Sequence, residues 1–131
     1  MKKVALVLLL MAWSFGTAFA DAPAPFPMIK HYALQGEFDP NYGVWTYEFI
    51  GWKENIGEYH IGFVYNPELE VIVILGVIND EATVIRYESQ TEQFLQLYFT
   101  PFGLVPEEIS KEDAIDKAFQ IMRQAVNLCI I

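Results

Sequence analysis

The eight residues Val71-Ile72-Val73-Ile74-Leu75-Gly76-Val77-Ile78 constrain the fold more than any other stretch, because as a β-strand they are apolar on both faces. Leaving one face of such a strand in water forgoes roughly 1.5–3 kcal/mol for each of three or four side chains, a total comparable to the stability of a small domain. Both faces therefore call for cover, and the remaining sequence decides how much of it the chain can supply itself.

From His31 onward, apolar and polar residues alternate in short runs, the period of half-buried strands, which predicts strands at 31–38, 44–52, 58–65, 70–78, 83–89 and 94–99. Turn formers separate them at residues 39–43, 53–57, 66–68, 79–81 and 90–92. Links this short impose antiparallel neighbours, since a parallel crossover needs about a dozen residues or more. Trp45, Tyr47 and Phe49 share one strand face, and Tyr59, Ile61, Phe63 and Tyr65 share another. After a proline-containing loop at 100–106 the period lengthens to 3.6. Ser110 is placed to cap a helix whose first turn carries Glu112 and Asp113, and Ile115, Ala118, Phe119, Met122, Ala125, Val126 and Cys129 fall on one face of it.

The expected architecture is α+β: a curled antiparallel β-meander of five or six strands with a C-terminal amphipathic helix packed on one face. A helix of about 18 residues is about 27 Å long and about 10 Å wide and shields about two strands, whereas five or six strands present about 25 Å on each face. The missing cover has three possible sources: the sheet curling on itself, the N-terminal prolyl segment and loop 100–109 folding over it, or another molecule.

Lys2-Lys3, the apolar run of 12 residues from Val4 to Phe15 and Ala18-Phe19-Ala20 form the pattern of a secretory signal peptide at 1–20. The run is shorter than the ~20 residues a membrane span requires and no second one follows, so no transmembrane segment is expected after cleavage. Residues 21–30 form a proline-rich lead-in, expected to be extended. Residues 31–131 form a single α+β domain. The expected location is the bacterial periplasm, or secretion.

Six cations against 17 acids leave the chain beyond residue 20 at a net charge of −11. This field repels nucleic acid and anionic membranes and favours a basic partner. Cys129 is the single cysteine, so no internal disulfide forms.

No catalytic constellation emerges. Ser89 and Ser110, the two serines past residue 20, lack a nucleophile-elbow setting, and Cys129 lies at the negative end of the helix, where thiolate is disfavoured. The segment 39–43 opens like a calcium loop but has Val44 at the required glycine and Ile50 at the bidentate acid, which makes it a hairpin turn. His31 and His60 share no ligand spacing, and neither a metal nor a cofactor is expected. His60 falls opposite Ile50 and near Glu48 and Glu58 if strands 44–52 and 58–65 pair. The chain also carries more Tyr and Trp than a core this small satisfies, so Tyr42, Trp52 and Tyr59 join His60, Glu48 and Glu58 as candidate contact residues. The function expected is an exported, non-enzymatic binding protein, of the inhibitor or immunity type for a basic protein partner, with a homodimer as the other possible assembly. The alternatives are an apolar-ligand or lipid carrier with a pocket near Ile72, Ile74, Phe94 and Phe119, and a small hydrolase using His60.

Overall fold

The computed structural model describes residues 22–54 and 57–130, with side chains through Gln124. The segment read as a signal peptide and Cys129 lie outside the residues so described. The elements are α1 (Phe26–Ala33), β1 (Glu37–Asp39), β2 (Val44–Lys53), β3 (Gly57–Asn66), β4 (Val71–Ile78), β5 (Glu81–Glu88), β6 (Gln93–Thr100), β7 (Gly103–Glu108) and α2 (Lys111–Ile130). The strands form one open antiparallel sheet in sequence order, β1 to β7. The α+β class and the meander are as the sequence implies, but the strands number seven, not five or six.

Two segments differ from expectation. Residues 21–30 are not an extended lead-in and 31–38 is not a strand: α1 spans the boundary between them. Pro25 sits at its start and Pro27 in its first turn, where a missing N–H costs nothing. Phe26, Ile29, Lys30 and Ala33, at helical spacing, are its buried face. The chain then passes from α1 into β1 through Gly36, where any Cβ would collide with the Thr46 carbonyl. The second difference is the stretch 100–106, which is a hairpin turn followed by β7. The Thr100 hydroxyl donates to the Gly103 carbonyl at 2.7 Å, and the Phe102 N–H donates to Thr100 Oγ1. Pro101 is inside the turn and Pro106 is on an edge strand, two places where proline is tolerated.

The other turns follow their chemistry. At 39–43 the Asn41 N–H donates to Asp39 Oδ1 at 2.9 Å and Gly43 takes a positive φ, a hairpin turn. Asn79 and Asp80 both have positive φ between β4 and β5, the two-residue connection whose twist matches antiparallel strands.

Both helices pack on the same face. On α1, Phe26 lies 5.2 Å from Tyr87 and 5.7 Å from Phe94 between ring centroids, and Tyr32 stacks on Phe63 at 5.2 Å. On α2, Ser110 Oγ accepts the Asp113 N–H at 3.1 Å, the expected cap. The buried stripe is Ala114, Ala118, Ile121 and Met122, whereas Ile115 and Phe119 are half-buried. The helix is thus rotated from the expected face, because two alanines allow close approach and Ile121 sits over Gly76, which has no side chain to displace it. Lys117 Nζ donates to Gln96 Oε1 at 2.7 Å at the margin. Ile61, Phe63, Ile72, Ile74, Ile85, Tyr87 and Phe94 complete the core from the sheet.

Lys30 is buried, with its ammonium 4.6 Å from the centroid of the Tyr65 ring. Burial lowers its pKa from 10.5 to about 8, against the opposing pull of Glu70. Burial, then Glu70, raises that of Tyr65.

Two outcomes are expected. Gly76→Ala places a Cβ 2.9 Å from Ile121 Cγ2 and should cost ~1–3 kcal/mol in urea unfolding, and because Ile121→Ala removes the clashing γ carbons the double variant should lose less than the sum of the two single changes. Below pH 8 both folded and unfolded chains hold the Lys30 proton; above it only the unfolded chain does, until its own value of 10.5 is passed. Stability should therefore rise between pH 8 and 10 by up to about 1.4 kcal/mol per unit, with Tyr65 opposing at higher pH. Urea midpoints over this range should show the rise in the native chain and a flat profile in Lys30→Met.

Candidate binding face

Strand residues alternate between faces, so those that do not meet the helices project from the opposite side of the sheet. The register aligns them in rows. One row crosses the strands as Glu48, Gly62, Leu75, Val84, Leu97 and Pro106. The next, nearer the turns at 53–57, 78–81 and 100–103, runs Ile50, His60, Val77 and Ala82 and carries on to Phe99 and Leu104. A third row, on the other side of the first, is Thr46, Val64, Val73, Arg86 and Leu95.

No described helix lies over this face. Among the described residues the double apolarity of β4 is thus answered on one side only: α1 and α2 cover the same side, and the stretch expected to fold over the sheet extends it instead. Val84 is 6% exposed even so, because Leu75 and Leu97 flank it across the register. Toward the rim the face opens: Ile50 is 66% exposed, Trp52 69%, Phe99 61% and Leu104 54%, and Phe102 at the β6–β7 turn is 99% exposed. A contiguous apolar surface of this kind is uncommon on a protein that works alone.

Of the residues singled out from the sequence, Trp52, His60, Glu48 and Glu58 share this face: Ile50 pairs with His60 and Trp52 with Glu58. Tyr59 is on the helix side, its ring lying across Gly51. Tyr42 is in the β1–β2 turn, at the opposite end of β2 from Trp52, which lies about 26 Å along the strand from Val44. His31 is on α1, where Gln35 Nε2 donates to its Nε2, and cannot meet His60 through the sheet.

His60 Nε2 lies 3.7 Å from Glu48 Oε1, an ion pair when the imidazole is protonated but beyond the reach of proton transfer. His60 Nε2 and Arg86 Nε are buried without a hydrogen-bond partner, and both belong to the open face. Arg86 is 3.7 Å from Glu88 and is the one Lys or Arg among the face's described residues, against Glu48, Glu58 and Glu88. The face is therefore apolar in its middle and acidic around it. Ile72, Ile74 and Phe94, expected to line a ligand pocket, are packed into the core with Phe26, Ile29 and Met122. Among the described residues no cluster of three or more metal-ligating side chains occurs, and no helix is long and apolar enough to cross a membrane.

Sequence reasoning missed Phe99, Phe102 and Leu104. Their signal was the 14-residue stretch from Gln93 to Pro106, which carries no charge and is divided by a proline–glycine turn. Arg86→Met removes the orphaned donor and extends an apolar row, and should raise the stability of the free protein by ~1 kcal/mol in thermal or urea unfolding.

Compared with protein-family models, curated proteins and solved structures, the chain matches none, and the reading of this face rests on its own geometry.

Proposed function

We propose that the protein is an exported, non-enzymatic binding protein that receives a basic protein partner on its open sheet face. The observation that carries this reading is the uncovered apolar band with strongly exposed Ile50, Trp52, Phe99 and Leu104 along its rim. Covering such residues releases roughly 25 cal/mol for each Å² taken from water, a driving force that the free protein leaves unused. Acids beside the band, and the net charge of −9 over the whole sequence, steer cationic surfaces toward it and repel a second copy. An inhibitor or immunity-type role in the periplasm or outside the cell fits a stable acidic scaffold that blocks a cationic protein.

The test is capture of partners from an envelope extract by the immobilised chain lacking residues 1–20, at low and high salt. Phe99→Asp should reduce capture at least tenfold, as loss of an interface anchor does, and Tyr42→Asp, an exposed aromatic away from the face, should leave it unchanged. Raising salt from 0.1 M to 1 M, which shortens the screening length from about 10 Å to about 3 Å, should weaken capture further. Equal capture by the native chain and Phe99→Asp would remove the face from the function.

A further inference from the structure

The proposed binding role leaves open what kind of element the face receives, and the shape of the band answers it. The geometry points to a single amphipathic α-helix of the partner, basic along the flank that faces the turns and at the end over β2, lying across the strands from Ile50 to Leu104. This inference rests on the open face being the binding surface.

Three observations carry it. The first is dimension. Ile50 on β2 and Leu104 on β7 are five strand spacings apart, about 24 Å, and a helix of about 16 residues has that length. Two rows of side chains make up the height of the band, about 7 Å between row centres, which suits one helix about 10 Å across.

The second is the backbone. An extended peptide laid on this face would meet only side chains, leaving its own N–H and C=O groups unpaired, whereas a helix satisfies them internally. The sheet edges do not offer the alternative of strand addition, since β1 has three residues and β7 carries Pro106.

The third is charge. Glu58 and Asp80 lie toward the turn side of the band and Glu48 closes the β2 end of its lower row, whereas the row beyond that one carries Arg86, with Glu88 one row further out. A broad second sheet, or a second copy of this acidic chain, would bury those carboxylates against apolar or like-charged surface. A helix with an apolar stripe and lysines beside it leaves them paired at the water boundary.

The probe is a 16-residue helical peptide of leucine and lysine with the leucines on one face, titrated against the chain lacking residues 1–20 by calorimetry at physiological salt. The expected result is one peptide per chain, with a scrambled peptide of the same composition and a glutamate-for-lysine version each binding at least about tenfold more weakly. Ile50→Asp and Leu104→Asp, at exposed positions where folding is checked by circular dichroism, should each weaken the 16-mer about tenfold. An eight-residue version, about 12 Å long, should not respond to both. Equal binding of the scrambled peptide, or indifference to both variants, would overturn the inference. If the peptide fails while Phe99→Asp still abolishes capture from extract, the face takes a differently shaped partner and only the helix is refuted. If neither occurs, both readings fall. Dimerisation through the face, or pelleting with phosphatidylethanolamine vesicles that Phe102→Ser prevents, would likewise overturn it.

Discussion

The packing of two helices on one side of the sheet governs everything else about this molecule. A seven-stranded sheet is about 29 Å wide, and two rods about 10 Å across cover most of one face and none of the other. The chain commits α1 to β2, β3 and β4 and α2 to β4, β5 and β6. Phe26, wedged against Tyr87 and Phe94, and Ile121, resting on Gly76, fix them there. With both helices used on one face, the apolar alternate residues of β4 are shielded, among the described residues, by their own neighbours in the sheet.

That shielding is graded. In the centre of the sheet, a valine between two leucines is nearly dry without any second layer, because cross-strand neighbours close over it. At the ends of β2 and β6 there are fewer neighbours, and the same kind of side chain remains in water. The exposed aromatics are thus the unfinished margin of a surface whose middle is already desolvated. Cost falls on the polar groups caught in that middle, where Arg86 Nε and His60 Nε2 have lost water without gaining a hydrogen bond.

Much of this was legible in the sequence. The strand periods, the turn residues, the Ser110 cap and the pairing of Ile50 with His60 all follow from local chemistry that neighbouring elements do not override. What was illegible depended on context. The helical pattern at Phe26, Ile29, Lys30 and Ala33 was masked by three prolines, although prolines at a helix start carry no penalty. Reading Pro101 and Pro106 as breakers concealed β7, and with it half the rim of the open face. That Tyr59 faces the helices while Glu58 and His60 do not follows from alternation. That Tyr42 and Trp52 lie at opposite ends of β2 needed only the strand's length. Which side the N-terminal segment would cover is a tertiary choice that no local pattern encodes.

The two sheet margins carry a consequence of their own. A three-residue first strand and a proline in the last give a neighbouring chain almost no backbone to stitch onto, so the molecule can display an oily plane without seeding fibrils through its ends. Stickiness and polymerisation, which usually travel together in β-rich proteins, are here assigned to different surfaces and governed independently.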